Sequence, residues 1–118
     1  GKNVDFIFTP HLSPMFRGIL STIYIDLKKN ASVEKIQRCL INFYKTKKFI
    51  KIAKINELIS TNDVINTNFC KISIHKGINN NKLIILSVID NLIKGGSGQA
   101  VQNMNTFYNL KETEGFNV

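Results

Sequence analysis

The sequence has no tryptophan, only two cysteines and two prolines, and no long apolar run. A membrane-spanning helix needs roughly 18 or more consecutive apolar residues. The chain also opens without the charged start, apolar stretch and small-residue cleavage site of a secretory signal. Cys39 and Cys70 lack metal-ligand spacing and are too few for a disulfide framework. We therefore expect a soluble, cytoplasmic protein without a metal site.

Arginine is scarce although the chain is basic. Lys and Arg together number 16 against eight Asp and Glu, which gives a net charge of +8, but only Arg17 and Arg38 are arginines. A basic balance is typical of nucleic-acid-binding proteins, yet arginine makes most bidentate contacts to bases. The abundance of Lys, Asn and Ile together also fits AT-rich codon usage. We expect no nucleic-acid partner, and a basic binding module remains the non-enzymatic alternative.

The length of 118 residues and the 43% hydrophobic content predict one domain with one core. Alternating apolar and polar residues, or short apolar runs, predict strands at residues 4–8, 18–27, 49–52, 69–75 and 83–89. We expect the strand at 18–27 to be half-buried. The last two strands form a predicted hairpin around a turn at 77–81, with 83–89 as a central strand.

Helical spacing of apolar residues predicts two helices. Ser32 is placed to cap the first, which runs to about Lys45, and its predicted buried stripe consists of Val33, Ile36, Cys39, Leu40 and Phe43. The second runs over 98–108, with an apolar stripe of Ala100, Val101, Met104, Phe107 and Tyr108. A weaker helical turn is predicted at 55–59. This order predicts an α+β fold with a mixed, largely antiparallel sheet and helices on one face.

The segment DNLIKGGSGQAVQNMN, at residues 90–105, joins the end of a strand to a glycine-rich turn and a helix. Gly95, Gly96 and Gly98 let the backbone approach a ligand closely, and Ser97 is placed to cap the helix. The first unpaired N–H groups of a helix attract anions, so the segment predicts a phosphate site. The alternative is that the glycines only permit close packing.

This segment closely resembles the one near the carboxyl end of N-acetyl-gamma-glutamyl-phosphate reductases, the NADP-dependent enzymes of the arginine pathway. Three other segments resemble the same family in the same order: FTPHLSPMFRGILSTIY at 8–24, TNFCKI at 67–72 and ETEGF at 112–116. The resemblance implies that the chain is the last third of such an enzyme. The dinucleotide-binding Rossmann domain and the nucleophilic cysteine of the family are then expected to be absent from it.

The resemblance also implies a domain organisation. Residues 1–90 are expected to form part of a substrate and dimerisation domain like the C-terminal domain of glyceraldehyde-3-phosphate dehydrogenase. Residues 91–118 are expected to return as a helix to the absent Rossmann domain, so the apolar stripe of that helix would be exposed in this chain and promote aggregation. A homo-oligomer formed through the sheet domain is the expected assembly.

His11 and Arg17 are the residues to which the resemblance gives roles in substrate chemistry. Histidine titrates near neutrality and can carry a proton. A histidine in a loop is more often structural, but the resemblance implies that His11 assists the catalytic cysteine. The planar fork of Arg17 suits the phosphate or carboxylate of an acyl phosphate substrate. Phe16 departs from the small or polar residue expected before this arginine.

The resemblance assigns the NADP contact to the glycine-rich segment. Asn91 and Gln99 offer amides to the nicotinamide ribose or carboxamide. Lys94 and the backbone of Gly95, Gly96, Ser97 and Gly98 suit phosphate.

Several polar residues have a structural interpretation. His75 flanks the hairpin and is expected to be solvated, and Cys39 and Cys70 are expected to be structural thiols. Thr67 and Asn68 either touch substrate or form a turn. The predicted activity is NADPH-dependent reduction of N-acetyl-L-glutamyl 5-phosphate to N-acetyl-L-glutamate 5-semialdehyde through a cysteine thioester. The related aspartate-semialdehyde dehydrogenases remain an alternative.

Overall fold

The computed structural model describes residues 4–79 and 81–117. In chain order its elements are β1 (Ile19–Asp26), α1 (Val33–Tyr44), β2 (Ile50–Ile52), a 3-10 turn (Thr61–Asp63), β3 (Cys70–Lys76), β4 (Lys82–Ile89), a π-helical turn (Ile93–Ser97) and α2 (Gly98–Phe107). The chain thus has the α+β fold that the sequence predicts.

The strands form one mixed sheet in the order β1-β4-β3-β2. β4 pairs antiparallel with β1 on one side and with β3 on the other, while β2 pairs parallel with β3. The predicted hairpin and the central position of its second strand are therefore confirmed. Gly77 closes the hairpin by donating its N–H to the carbonyl of Lys82 at 3.1 Å. Asn80, in the predicted turn, lies outside the described residues.

Helix α1 begins where the sequence predicts, because the hydroxyl of Ser32 accepts the N–H of Lys35 at 3.2 Å. It packs on one face of the sheet, where Val33, Ile36 and Leu40 cluster with Ile74 and Leu83. The prediction that Cys39 and Phe43 belong to this buried stripe is wrong, since both are exposed. The helix contacts β2 and β3, at one side of the sheet, so a single row of side chains meets the sheet and the flanking positions face solvent.

The segment between β2 and β3 covers the opposite sheet face. Ile59 and Val64 pack against Val88 of β4, and the hydroxyl of Ser73 donates to the carbonyl of Glu57 at 2.6 Å. The predicted helical turn at 55–59 is wrong. Asn56 has a φ of 63°, a left-handed conformation that interrupts a right-handed helix.

Strand β1 is an exposed edge. The prediction that it is half-buried is wrong, because all eight of its residues are exposed. It lies beyond the region that α1 and the 53–69 segment cover. The strand predicted at 4–8 is also absent, and these residues are exposed without strand pairing. A strand needs a partner for its backbone groups, and residues 4–8 have none in the described part of the chain.

The last residues return to the sheet. The side chain of Asn105, 1% exposed, donates to the carbonyl of Glu114 at 2.8 Å, and the ring of Phe116 lies edge-on to Phe49 with centroids 4.8 Å apart. Helix α2 itself turns apolar residues outward: Met104, Phe107 and Tyr108 are 49%, 79% and 66% exposed. The predicted exposure of this stripe is confirmed except at Val101, which is partly buried.

Candidate functional site

Asp90, the residue that follows β4, joins three segments that are distant in sequence. Its side chain is fully buried. One oxygen accepts the N–H groups of Leu92 and Ile93 at 2.8 and 3.0 Å, and the other accepts the N–H of Asn66 at 2.8 Å. The carboxylate therefore caps the helical turn that leads into α2 and fixes the loop before β3 to it.

Arg17 completes the environment of this carboxylate. Its Nη2 lies 3.2 Å from both oxygens of Asp90, and its Nη1 donates to the side-chain oxygen of Asn66 at 2.7 Å. The Nε atom is buried and has no hydrogen-bond partner in the described part of the chain. Nη1 and Nη2 carry two N–H groups each, so the contacts with Asn66 and Asp90 do not use every donor of the guanidinium.

The pKa of Asp90 reflects two opposing effects. Burial raises the pKa, but the N–H groups of Asn66, Ile93 and Leu92 and the charge of Arg17 stabilise the ionised form. The net result is a pKa below the usual range of aspartate. The pair therefore consists of a buried, ionised carboxylate and a partly exposed guanidinium.

The outer side of Arg17 borders an open groove with a volume of about 610 Å³. Apolar and uncharged polar residues form the rest of its lining: Met15, Phe16, Thr61, Asn62, Ile65 and Asn66. Arg17 is the single charged residue among those described around it. A groove of this composition suits a small anionic ligand.

The backbone around Arg17 is held as firmly as its side chain. Gly18 has a φ of 106°, and a Cβ there would lie 2.5 Å from the Cβ of Thr61. Its N–H donates to the side-chain oxygen of Asn91 at 2.8 Å. Only glycine fits this position, and the oxygen of Asn91, predicted to contact the cofactor, is used inside the chain.

His11 lies at the surface in a different setting. It is exposed, and its Nδ1 is 3.1 Å from the carbonyl oxygen of Thr9. It is not among the residues that line the groove at Arg17. Its assignment as a proton carrier stays a prediction.

The glycine-rich segment differs from the prediction of a helix capped by Ser97. Ser97 has helical φ and ψ of −59° and −41°, and its hydroxyl donates to the carbonyl of Leu92 at 2.9 Å. The N–H groups of Gly95 and Ser97 donate to the carbonyls of Asp90 and Leu92. The cap prediction is wrong because Ser97 itself has a helical backbone and its hydroxyl donates to a carbonyl instead of accepting an N–H. The N–H groups of Gly95 and Ser97 are engaged by carbonyls and do not form a free anion site.

Lys94, Gln99 and Gly98 also make contacts within the chain. Lys94 donates to the side-chain oxygen of Gln102 at 2.7 Å, and burial lowers its pKa. Gln99 donates to Asn103 at 2.9 Å, and Gly98 is buried. Gly95, Gly96 and Ser97 are exposed, and they leave a patch of nearly bare backbone at the surface. Cofactor binding by the predicted set stays a prediction.

Thr67 and Asn68 serve the turn before β3. The hydroxyl of Thr67 donates to the carbonyl of Val64 at 2.7 Å and accepts the N–H of Phe69 at 3.2 Å. Asn68 is buried and donates to Gln102 at 2.9 Å. Sequence reasoning left the role of this pair open and gave none to Asp90 or Asn66. The sequence did carry a signal for Asp90, because aspartate often accepts the N–H groups of the residues two and three positions after it.

The two cysteines and His75 are not among the residues that line the groove at Arg17. Neither cysteine is in a disulfide, and Cys39 is exposed while Cys70 is partly buried. His75 is partly buried, with its Nε2 3.0 Å from the hydroxyl of Ser73. Among residues 4–79 and 81–117, no group of three or more His, Cys, Asp or Glu residues is arranged to hold a metal ion. No helix within those ranges is long and apolar enough to cross a membrane.

Comparison with known proteins gives consistent matches. The family model described as "Semialdehyde dehydrogenase, dimerisation domain" matches residues 1–91. The N-acetyl-gamma-glutamyl-phosphate reductase of Thermoanaerobacter pseudethanolicus is 44% identical over 118 residues, which are 100% of this chain and 34% of that protein. The reductase of Vesicomyosocius okutanii is 53% identical over 112 residues, or 95% of this chain and 32% of that protein.

The reductase of Staphylococcus aureus (strain USA300) is 43% identical over 117 residues, or 99% of this chain and 34% of that protein. The resemblance read from the sequence motifs is therefore confirmed. The chain spans about a third of the length of the curated relatives it matches.

Proposed function

The chain belongs to the semialdehyde dehydrogenase dimerisation-domain family, and from this premise we propose that it is the C-terminal part of an N-acetyl-gamma-glutamyl-phosphate reductase. The proposed reaction is the NADPH-dependent reduction of N-acetyl-L-glutamyl 5-phosphate to N-acetyl-L-glutamate 5-semialdehyde in arginine biosynthesis. The observation that carries the proposal is the 44% identity to a reductase of that name along all 118 residues. The anion-compatible groove at Arg17 supports it independently.

The proposed mechanism uses covalent catalysis. A cysteine thiolate outside this chain attacks the acyl carbon and expels inorganic phosphate, which gives a thioester. NADPH, when bound, supplies the hydride for the second step. Reduction of the thioester and loss of the thiolate then release the aldehyde. His11 holds or transfers the proton at the sulfur or carbonyl oxygen, and Arg17 binds the anionic end of the substrate through the donors that Asp90 and Asn66 leave free.

We expect the glycine-rich segment to contact the cofactor by van der Waals packing and not by hydrogen bonds to a phosphate. The N–H groups of Gly95 and Ser97 are engaged by carbonyls, and the carboxylate of Asp90 occupies the start of the helical turn. A phosphate cradle at this turn is therefore not supported. The exposed backbone of Gly95 and Gly96 suits the flat nicotinamide ring, with Asn91, Lys94, Ser97, Gly98 and Gln99 holding that surface in place.

The 118-residue chain is proposed to be inactive by itself. Cys70 is partly buried beside the hydroxyl of Ser87, at 3.4 Å, and Cys39 lies on α1, which packs on the sheet. Neither lies in the groove at Arg17. A nucleophile and a dinucleotide-binding domain must then come from the rest of the parent enzyme.

We also propose a division of the chain into a sheet domain at 1–90 and a return segment at 91–118. The family match to residues 1–91 supports this division. A homo-oligomer through the sheet domain is supported by the family description and by the apolar residues exposed along β1, among them Leu20 and Ile23 at 49% and 46%. Cytoplasmic localisation is supported by two cysteines that are not disulfide-bonded.

Kinetics of the complete parent enzyme test the proposal. The enzyme should reduce N-acetyl-L-glutamyl 5-phosphate with NADPH and should not accept L-aspartyl phosphate. His11→Ala should lower kcat by roughly 100-fold or more, with a much smaller change in KM. The matched control is His75→Ala, because His75 contacts Ser73 and lies away from the groove, and its kcat should stay near that of the natural enzyme. Efficient reduction of L-aspartyl phosphate, or a fully active His11→Ala enzyme, would contradict the proposal.

A further inference from the structure

We propose that Asp90 is a positioning residue for substrate binding and that it acts through Arg17 with the help of Asn66. The inference rests on the proposed function, in which Arg17 takes the anionic end of the substrate. It goes beyond that function because it assigns positioning roles to two residues, Asp90 and Asn66, that the proposed function does not require.

The hydrogen bonds of Asp90 leave it little freedom. It is fully buried, and three backbone N–H groups hold its two oxygens at 2.8, 2.8 and 3.0 Å. These donors belong to the loop before β3 and to the turn before α2. The carboxylate is therefore a fixed negative charge against which a mobile cation can be oriented.

The contact with Arg17 is one-sided. A single nitrogen, Nη2, faces both oxygens of Asp90 at 3.2 Å. Paired fork-to-fork bonding would instead use two nitrogens of the guanidinium. Because the contact uses one nitrogen, it restrains the plane of the guanidinium without consuming all of its donors.

Asn66 restrains the second nitrogen. Its side-chain oxygen accepts Nη1 of Arg17 at 2.7 Å, and its backbone has a φ of 63°, a conformation that asparagine and glycine adopt readily. Asp90 holds the same residue through its N–H. Asp90 and Asn66 thus form one connected support for the guanidinium, and Arg17 and Asn66 both line the groove.

This geometry makes a specific kinetic prediction. Arg17 has a long, flexible side chain, and holding it in one orientation before substrate arrives lowers the entropic cost of binding. Loss of the support should weaken anion binding and raise KM, while kcat changes less. The effect should vanish when Arg17 itself is absent, because the support then has nothing to orient.

The first test is a double-mutant cycle in the complete enzyme. Asp90→Asn removes the charge but keeps one oxygen for the N–H groups of Leu92 and Ile93. Arg17→Met removes the guanidinium but keeps an apolar stem. Asp90→Asn should raise KM for the acyl phosphate about tenfold in the natural background and less than about twofold in the Arg17→Met background. Equal increases in both backgrounds would overturn the proposal and leave Asp90 a purely structural residue.

A second variant, Asn66→Gly, allows the proposal to be tested even if Asp90→Asn does not fold. Asn66→Gly removes the side-chain oxygen that faces Arg17 and keeps a residue that tolerates the positive φ. Asn66 is exposed, so the fold should be retained. KM should rise about threefold, again only when Arg17 is present. An unchanged KM for a folded Asn66→Gly enzyme would overturn the role of Asn66. If Asp90→Asn does not fold, the same unchanged KM would overturn the whole proposal.

Direct binding separates this inference from the proposed function. Calorimetric titration of the complete protein with inorganic phosphate and with N-acetyl-L-glutamate reports anion binding without turnover. Weaker binding of either anion by Asn66→Gly, dependent on Arg17, supports the positioning role even if the protein fails to reduce the proposed substrate. The anion that responds identifies whether Arg17 takes the phosphate or the carboxylate. If the natural protein and Asn66→Gly bind each anion with the same affinity, the positioning role is overturned, whichever substrate the enzyme reduces.

Discussion

Asn68 donates a hydrogen bond of 2.9 Å from its side-chain nitrogen to the side-chain oxygen of Gln102, and this bond ties the start of β3 to helix α2. Lys94 reaches the same oxygen at 2.7 Å, and Gln102 donates to Glu112 at 2.6 Å. Helix α2 therefore meets the rest of the chain through polar side chains. Because hydrogen bonds depend on distance and angle, the position of α2 is sensitive to small steric changes near this contact.

Gly98→Ala should destabilise the chain for this reason. A Cβ at residue 98 would lie 2.4 Å from Oδ1 of Asn68 and 2.9 Å from the carbonyl oxygen of Ile93. The added methyl must push α2 away from Asn68 and Ile93, which should lower the free energy of unfolding by about 1–3 kcal/mol. Urea denaturation followed by circular dichroism measures the change.

Gly95→Ala is the matched control for this substitution. Its nearest neighbour would be Cδ1 of Ile89 at 3.4 Å, a side-chain end that can move. Replacement of glycine by alanine in a helical turn is then neutral or stabilising by up to about 1 kcal/mol. Equal losses of stability in the two variants would show that packing against Asn68 is not the cause.

The two serines that the sequence identified as helix caps should respond differently to alanine. Ser32→Ala removes the acceptor for the N–H of Lys35 and should cost about 0.5–2 kcal/mol of unfolding free energy. Ser97→Ala removes only a donor to the carbonyl of Leu92, at an exposed position, and should cost less than about 0.5 kcal/mol. Thermal denaturation of both variants decides the matter, and a larger loss for Ser97→Ala would contradict the capping geometry.

Asp90 should make stability depend on pH in the acid range. Its pKa in the folded chain lies below the ordinary value of 3.8, so the unfolded chain binds a proton first as pH falls. The stabilisation is complete above that ordinary value and is lost as pH falls through the folded pKa. At pH 6, Asp90→Asn should cost about 1–3 kcal/mol of unfolding free energy.

Urea denaturation of the natural chain and of Asp90→Asn between pH 2 and pH 6 measures this dependence. The difference in unfolding free energy should shrink steadily toward the acid end of the series. Glu34, Glu57 and Asp63, whose pKa values are also lowered, contribute equally in both proteins. A difference that stays constant with pH would rule out the ionised carboxylate as its source.

The apolar stripe of α2 should promote self-association of this chain. Phe107, which is 79% exposed, is the most exposed aromatic on that stripe. Phe107→Ser should lower the fraction of aggregated protein by at least about threefold. Leu58→Ser is the control, since Leu58 is 86% exposed on the segment between β2 and β3. Light scattering after size-exclusion chromatography measures the effect, and an equal reduction by both variants would show that no specific surface is involved.

The sequence pattern predicted the sheet and both long helices because their signals are local. Ser32 and the spacing of Val33, Ile36 and Leu40 define α1. The apolar run at 83–89 predicted the central strand, since a strand covered on both faces needs no alternation. The family resemblance was equally accessible, because it depends on the order of residues and not on their positions in space.

The tertiary structure decided which of these features are buried. β1 has the alternation of a half-buried strand, but it lies at the edge of the sheet beyond both covering layers, so all its residues are exposed. Ser97 has the local signature of a cap, yet its backbone is helical and its hydroxyl donates to the carbonyl of Leu92. A local sequence pattern indicates which conformations a segment can adopt, and the segments packed around it determine its burial and its hydrogen-bond partners.

By itself the sequence determined the two helices, the four strands of the sheet and the family, and it singled out Arg17 as a candidate for substrate binding. The structure decided that Arg17 stands between a fully buried carboxylate and an open groove, with Asn66 beside it. Residues 17, 66 and 90 are far apart along the chain, and no periodicity links them. Their meeting follows from the pairing of β1, β3 and β4 in one sheet, which is a long-range property of the fold.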